Sequence, residues 1–271
     1  MKIFAMHDEF GDPTKDLAFL EYYEREEAFF FELPPDADPW ELPFILHEFA
    51  SRRKLSVDAF WSKRWVQSRL VPPERQNLGE VLRENGLDRY SEFGLLELTG
   101  GRCSQDECYL ASMSLERMPA WYRERVDLRA VDAVALPGFR ILLMLKDETA
   151  MLCKPKEVLA GRRAFSRVLT EEERFMRLFL QPGGHGVQWG EDLFMAVDEL
   201  RATGDVLPLS SDDLVHLVDQ VVCDTSEVAR LLDCSRQNVS DLVRRGRLAP
   251  IKTTARGALF LRADILQRRW M

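Results

Sequence analysis

The sequence predicts an α+β chain built from an N-terminal mixed α+β region, a small strand-rich α/β middle domain and a small C-terminal domain. A length of 271 residues favours about two domains. The balance of 46% hydrophobic and 30% charged residues is that of a folded globular protein. Turn signals from Pro and Gly and the positions of helix-capping residues then divide the chain. The predicted parts are residues 1–123, 126–204, a linker or helix at 205–222, and 223–271.

Two features of the whole chain favour a cytoplasmic protein without a membrane span. The longest apolar run, residues 141–145, is far shorter than the about 20 residues of a membrane helix, and no secretory segment follows Met1. The five cysteines are odd in number and scattered, so we expect reduced thiols and no zinc site. The sequence predicts no metal site and no cofactor.

The N-terminal region combines helical segments with extended runs. Asp38 followed by Pro39 predicts a helix start, and further helices are expected over 57–70 and 74–85. Phe29, Phe30 and Phe31 indicate a buried strand. Gly100 and Gly101 separate the runs 93–99 and 107–112, which predicts a hairpin.

The middle region is richer in strands. Residues 126–134, 140–145 and 149–153 are expected to form three strands, the first two joined at Pro137-Gly138. Thr170, with Glu173 three residues later, has the pattern of a capping box. The segment from Pro182 to Gly186 is expected to be a turn.

The end of the middle region contains a Trp, an acidic pair and an Asp-Glu-Leu ending. These belong to Gly186-Val187-Gln188-Trp189-Gly190-Glu191-Asp192-Leu193, Met195-Ala196, Asp198-Glu199-Leu200 and Gly204. With these residues the middle region resembles a small prokaryotic family, the domain-of-unknown-function family 2442. Phe194 departs from the family pattern, which has a polar residue there. The resemblance implies a small α/β domain without catalytic activity, in a family discussed with toxin–antitoxin modules.

The net charge of −8 is unevenly distributed. Residues 223–271 contain ten Lys/Arg and five Asp/Glu, a net charge of +5, which leaves −13 on residues 1–222. Phosphates respond to the local field, so a basic segment on an acidic body favours a nucleic-acid partner for that segment.

The C-terminal segment has the spacing of two short helices joined by a turn. Thr225 is the expected N-cap of the first helix, and Ser235 that of a second helix over 236–245, which Gly246 ends. Ala229 and Val239 supply the small and apolar residues that a steep helix crossing needs. Two strands around a basic loop and a closing helix over 264–269 are expected to follow.

This segment is similar to the winged helix-turn-helix of the MerR and excisionase type. The similarity rests on Ser226-Glu227-Val228-Ala229-Arg230-Leu231-Leu232 and Ser235-Arg236-Gln237-Asn238-Val239. It departs from the pattern at Asp233, where most relatives have Gly in the turn. Asp tolerates the left-handed conformation better than most residues.

In this fold the N-terminal part of the second helix enters the major groove of double-stranded DNA. We therefore expect base contacts from Arg236, Gln237, Asn238 and Ser240. Phosphate contacts are expected from Arg244, Arg245, Lys252, Thr253, Thr254, Arg256 and Arg262. The alternative is that these are solvated charges on a protein-binding module.

These patterns favour a sequence-specific transcriptional regulator, expected to be a dimeric repressor whose residues 1–222 supply the interface. One alternative is an antitoxin-like protein that binds a partner toxin and regulates its own promoter, and another is an adaptor that never touches DNA. No enzyme motif is found, and His7, His47, His185 and His216 lie on separate segments. Basic residues around Phe60, Trp61 and Trp65 could contact single strands, but a core role is favoured.

Overall fold

A computed structural model of the chain describes residues 1–254, 257–261 and 265. The chain forms two compact units, Met1–Val206 and Leu207–Met271. Helices and antiparallel sheets occur together, which confirms the α+β class. No helix in the described part of the chain is long and apolar enough to cross a membrane.

The first unit begins with a five-stranded antiparallel sheet that carries most of the N-terminal core. The predicted strand at Phe29–Phe31 is confirmed, and its rings are buried. Four helices accompany the sheet: α1 (Phe44–Ser51), α2 (Ala59–Ser68), α3 (Leu78–Glu84) and α4 (Glu92–Thr99). In the order β4-β3-β2-β1-β5, the strands are β1 (Lys2–Asp8), β2 (Ala18–Tyr23), β3 (Ala28–Glu32), β4 (Ser56–Val57) and β5 (Cys108–Ser112).

The helix start predicted at Asp38 is confirmed, but the element is only a 3₁₀ helix at Pro39–Glu41. The Asp38 side chain accepts a hydrogen bond from the Trp40 N–H, and Pro39 is the first helical residue. The helix α1 begins only after Pro43. Trp40 and Phe44 are 86% and 81% exposed.

The hairpin predicted around Gly100-Gly101 is wrong. Residues 92–99 form the helix α4, because the Ser91 side chain accepts a hydrogen bond from the Gly94 N–H and caps it. Gly100 ends this helix with φ of +59°, the left-handed conformation of a helix C-terminus. The second predicted run is extended, but it pairs with β1 as strand β5.

The middle region contains two small sheets. Strands β7 (Arg140–Leu145) and β8 (Thr149–Cys153) match the predicted bounds. The predicted first strand is wrong in its first half, because the helix α5 (Ala120–Asp127) precedes β6 (Ala130–Leu136). The sheet order is β12-β8-β7-β6, and β12 (Gly204–Ser210) carries the chain from the first unit into the second.

The other small sheet has the order β11-β10-β9, with the expected turn at 182–184 between β9 and β10. Thr170 is not a cap, since it ends one helix and the next begins after Glu171. The strands are β9 (Phe179–Leu180), β10 (Gly186–Trp189) and β11 (Leu193–Ala196), and the helices are α6 (Lys156–Ala160), α7 (Ser166–Thr170), α8 (Glu172–Phe175) and α9 (Val197–Arg201).

Hydrophobic side chains form separate clusters in the N-terminal and middle regions. The boundary predicted between residues 123 and 126 falls inside α5. Tyr122 and Val126 of this helix pack with Ile3 and Phe19 of the first sheet. The division of residues 1–204 into two domains stays a prediction.

A buried network of charges connects these two regions. Glu21 on β2 and Glu32 on β3 are 0% and 2% exposed. Arg129 donates to Glu21 (Nη1 to Oε2, 2.8 Å) and to Glu32 (Nη2 to Oε1, 3.2 Å). His185 lies between the same carboxylates, with Nδ1 3.0 Å from Glu32 Oε1 and Nε2 3.2 Å from Glu21 Oε2. Each ring nitrogen of His185 thus lies within hydrogen-bond distance of one carboxylate, and the Arg129 guanidinium contacts both carboxylates.

The network also explains the ionisation of Glu21. Burial alone raises the pKa of a carboxyl, but the adjacent His185 and Arg129 lower the pKa of Glu21 well below its ordinary value. Tyr23 adds a hydrogen bond from its hydroxyl to Glu21 Oε2 at 2.7 Å, and the ring of Phe30 stacks on His185 at 4.1 Å. The carboxylate is therefore charged at neutral pH and depends on these partners.

The second unit contains α10 (Ser211–Val221), α11 (Thr225–Leu231) and α12 (Arg236–Arg244). Its sheet has the order β13-β15-β14. The strands are β13 (Val222–Asp224), β14 (Lys252–Thr254) and β15 (Gly257–Leu261). Val228, Val239, Leu248, Phe260 and Ile265 are buried together in its core.

The buried network predicts a large effect of removing one charge. Glu21→Gln leaves the buried Arg129 without one of its two carboxylate partners, so we expect the free energy of unfolding to fall by about 3–5 kcal/mol. Urea unfolding followed by tryptophan fluorescence measures this, because five of the six tryptophans lie in residues 1–206.

Glu9→Gln is the matched control. Glu9 pairs with Arg102, but both side chains are about half exposed, so its loss should cost no more than about 1 kcal/mol. Equal losses of unfolding free energy in the two variants would contradict the prediction that a buried ion pair contributes more than an exposed one.

Candidate nucleic-acid interface

The first helix of the C-terminal pair is capped one residue earlier than expected. Asp224, not Thr225, is the N-cap of α11, and its Oδ1 accepts from the N–H groups of Ser226 (2.7 Å) and Glu227 (2.8 Å). Glu227 completes a capping box by accepting from the Asp224 N–H at 2.8 Å. Hydrogen bonds from these backbone amides lower the pKa of Asp224. The helix start is thus stabilised by two carboxylates.

The turn between α11 and α12 has the geometry that the sequence predicts. Asp233 has φ of +49°, the left-handed conformation that Gly adopts most readily and Asp tolerates better than most residues. The Cys234 N–H donates to the Ala229 carbonyl at 2.9 Å and closes the turn. Ala229 and Val239 are 6% and 1% exposed, as expected for the close crossing of the two helices.

The second helix, α12, begins and ends close to the predicted residues. Ser235 Oγ accepts from the Asn238 N–H at 3.2 Å, which confirms Ser235 as its N-cap. Gly246 follows the helix with φ of +65°. Val239 is buried, and Leu242 and Val243 pack against the same core, which orients the opposite side of α12 toward solvent.

The four predicted base-reading residues, Arg236, Gln237, Asn238 and Ser240, are all exposed. At 100° per residue, the direction opposite the buried Val239, Leu242 and Val243 is occupied by Gln237, Ser240, Asp241 and Arg244. Arg236 and Asn238 lie at the two flanks of this outward stripe. The Ser240 hydroxyl already donates to the Arg236 carbonyl at 3.2 Å, so it has less hydrogen-bonding capacity for a base.

Arg244 is placed differently from the other predicted phosphate contacts. It lies on the outward stripe, two turns after Gln237, and its Nη2 donates to Asp241 Oδ1 at 2.6 Å. Asp241 therefore offsets one positive charge on this surface and holds the guanidinium in place. The i, i+3 spacing could have indicated this pair from the sequence.

The strands after α12 form the predicted wing. Strands β14 and β15 pair antiparallel, with Thr254 opposite Gly257. Lys252 and Thr253 are exposed, as is Arg245 at the end of α12. Arg256, Arg262 and most of the predicted closing helix lie outside the described residues. Strand β13, which pairs with β15 through Cys223 and Phe260, has no predicted counterpart.

This arrangement agrees with one family comparison. Residues 222–270 match the family of the helix-turn-helix domain. No curated protein and no solved structure matches the chain significantly. The resemblance of the middle region to family 2442 finds no support in these comparisons.

The core role favoured for the aromatic residues near Phe60 is confirmed for Trp65, which is buried, and wrong for Phe60 and Trp61, which are exposed. Arg69 of the same segment is buried in an ion pair with Asp106. Phe60 and Trp61 are exposed, but they line a groove with Glu26 and Glu191. Those carboxylates would repel a phosphate backbone.

Glu21, Glu32 and His185 are residue types that can bind metal ions, and the fold brings them together. The sequence patterns do not predict this cluster. One ligand atom of each lies within 4.8 Å of the others. Arg129 already donates to both carboxylates, so its guanidinium supplies the positive charge that a metal ion would bring. We interpret the cluster as an ion-pair network; the separation of Glu21 and His185 by 164 residues hid it from local patterns.

The strained turn predicts opposite effects of two substitutions. Asp233→Gly removes the strain of a left-handed Cβ, whereas Asp233→Val increases it, by about 1–2 kcal/mol. Amide hydrogen exchange of α11 and α12 in the full chain should slow in the first variant and accelerate about tenfold in the second. Unchanged exchange in both variants would show that this conformation carries no strain.

Proposed function

We propose that the chain is a sequence-specific double-stranded DNA-binding transcriptional regulator that acts as a repressor. The observation that carries this proposal is the exposed surface of α12 within a helix-turn-helix geometry. Its N-terminal half presents Arg236, Gln237 and Asn238 to solvent. In helix-turn-helix proteins this part of the second helix contacts base edges in the major groove.

The side chains divide by chemistry into two groups. Arg236 can bind guanine with two hydrogen bonds, and Gln237 or Asn238 can bind adenine in the same way. Arg245, Lys252 and Thr253 suit phosphate contacts, as the sequence predicts for Thr254, Arg256 and Arg262. Arg244 is reassigned to the outward stripe, where Asp241 orients it. The wing after α12 supports a relation to the MerR and excisionase type.

The proposal includes no catalytic activity and no cofactor. The titratable cluster with the deepest burial is the network of Glu21, Glu32, Arg129 and His185, and its charges are directed at one another. That arrangement suits a structural role better than a reaction on a substrate. The expected cytoplasmic location fits a regulator of transcription and is part of the same proposal.

The helix α10 supports a homodimer. Leu214, Leu217, Val218 and Val221 follow the i, i+3, i+4, i+7 spacing of an apolar stripe. Leu217 and Val218 are 51% and 56% exposed, as is Val215 at 68%. A single reading helix has a small footprint, and two half-sites would need two copies. We propose that a second copy of α10 covers this stripe; α10 lies inside the predicted interface region, residues 1–222.

An antitoxin-like protein is the second candidate function. It would repress its own promoter with the same domain and bind a partner toxin with the acidic residues 1–222. The net charge of −13 on those residues favours a basic partner. The family 2442 resemblance would be consistent with this candidate. An adaptor without DNA binding would retain the fold but show no salt-dependent affinity for duplexes.

Two substitutions distinguish base readout from phosphate contact. After selection of bound duplexes from a random pool, Gln237→Ala should lower the ratio of selected to random affinity about tenfold or more, because its base contact contributes about 1–3 kcal/mol. Lys252→Ala should weaken both affinities by the same factor and reduce the salt dependence by about one counterion. Fluorescence anisotropy at several salt concentrations measures both effects.

The difference between Gln237→Ala and Lys252→Ala tests the assignment of these residues to base and phosphate contacts. If Gln237→Ala weakens selected and random duplexes alike, α12 does not read bases at this position. If the full chain binds no duplex from the pool, the regulator proposal fails.

The dimer has its own test. Val218→Glu places a charge on the apolar stripe, so the dissociation constant of the dimer should be at least tenfold higher than that of the unchanged protein. Multi-angle light scattering at micromolar concentrations measures the mass. Gln220→Glu, on the polar side of the same helix, is the matched control and should leave the dimer intact. A monomeric unchanged protein at tens of micromolar would refute the interface.

A further inference from the structure

The first unit contains an open groove of about 920 Å³ that the proposed DNA-binding function does not use. Four elements surround it: the beginning of α2, the strand β9 and the tips of the β2–β3 and β10–β11 hairpins. All of them belong to residues 1–206, the first compact unit. We call this feature the aromatic groove.

Exposed rings line the aromatic groove. Phe60, Trp61 and Phe179 are 56%, 43% and 45% exposed, and Phe60 meets Trp61 edge to face at 5.3 Å. Phe194 adds a partly buried ring to the lining. Several large apolar side chains exposed together are typical of an interaction surface, because leaving them in water has a cost in free energy.

The rim of the groove is acidic on two sides. Glu26 and Glu27 lie at the β2–β3 tip, and Glu191 and Asp192 at the β10–β11 tip. None of these four carboxylates forms an ion pair with another described residue. Lys63 also lines the groove, but its ammonium group is 3.3 Å from Glu92. The rim therefore carries uncompensated negative charge.

One side of this rim is held in place by side-chain hydrogen bonds. Gln188 Nε2 donates to the carbonyls of Gly190 and Glu191, each at 2.8 Å. Gln181, which is buried, donates to Gln188 Oε1 at 2.6 Å. Gly190 has φ of +63°, which closes the tight tip. A partner would not have to order this loop, so less conformational entropy is lost on binding.

We propose that the aromatic groove binds a basic segment of a partner protein, in which Lys or Arg side chains flank an apolar or aromatic residue. The apolar residue would cover Phe60, Trp61 and Phe179, and the cations would face the two acidic tips. Guanidinium and ammonium groups also interact favourably with exposed Trp and Phe faces. Nucleic acids are disfavoured by the same carboxylates.

A polypeptide fits the groove better than a small organic cation. The groove is near the upper end of ligand-pocket volumes and is open, whereas small-molecule sites enclose most of their ligand. Its negative charge lies on two separate hairpin tips, so a single small cation would leave one tip uncompensated. A chain with spaced cations can satisfy both. The inference goes beyond DNA binding and does not depend on it.

Selection from a random dodecapeptide library on the full-length protein tests the inference. Peptides with net positive charge and at least one large apolar residue should be enriched. Their affinity, measured by fluorescence anisotropy of labelled peptides, should fall at least tenfold with Trp61→Ala and with Glu191→Lys. It should also weaken as salt increases, because rim charges are screened.

Two control variants make the same kinds of substitution outside the groove. Phe10→Ala removes a ring that is 81% exposed, and Glu80→Lys reverses an exposed charge on α3. Both should leave peptide affinity within about twofold, and circular dichroism should show all four variants folded. Enrichment of no sequence, or of neutral or acidic sequences, would overturn the inference. So would equal affinity for Trp61→Ala and the unchanged protein, or tighter competition by spermine than by the peptides.

Discussion

Two glutamates without access to solvent impose the strongest constraint on the first unit. Glu21 and Glu32 lie on neighbouring strands of the first sheet, and neither could remain ionised there alone. Their compensation comes from outside that sheet: Arg129 precedes β6 and His185 precedes β10. The N-terminal sheet and the middle region are therefore connected by charge as well as by apolar contact, although their hydrophobic clusters are separate.

The same constraint sets the geometry of the aromatic groove. Glu21 and Glu32 belong to the β2–β3 hairpin, and His185 leads into the β10–β11 hairpin. The tips of these two hairpins form the acidic rim. Gly183 and Gly184 make the close approach possible, because a Cβ at either would lie within about 2 Å of Tyr23 or Ala130. The buried network thus connects the two hairpins whose tips border this partly exposed surface.

The contrast between local and long-range signals explains what the sequence could predict. The bounds of β7 and β8 and the turn at Asp233 follow from apolar spacing and capping residues, and they were predictable. The apolar residues of α4 also fit an extended run, so their pattern predicts a strand, although Ser91 is a good helix cap. The stripe on α10 was present in the sequence at helical spacing and could have been found. The pairing of Glu21 with His185 could not have been found, because local sequence patterns contain no information about contacts between residues so far apart.

For the candidate DNA-reading surface, too, the sequence predicts local features but not those that depend on packing. The sequence predicted which residues of α12 are exposed, because the apolar positions define the buried side. It did not rank them, since the outward direction depends on how α12 packs on its core. With that packing, Gln237 faces outward, Arg236 lies at the flank, and Asp241 pairs with Arg244. The acidic body and the basic domain can then serve partners of opposite charge in one chain. At physiological ionic strength screening limits each field to about 8 Å, so the proposed peptide groove and the proposed DNA-reading helix would each act on a partner only at short range.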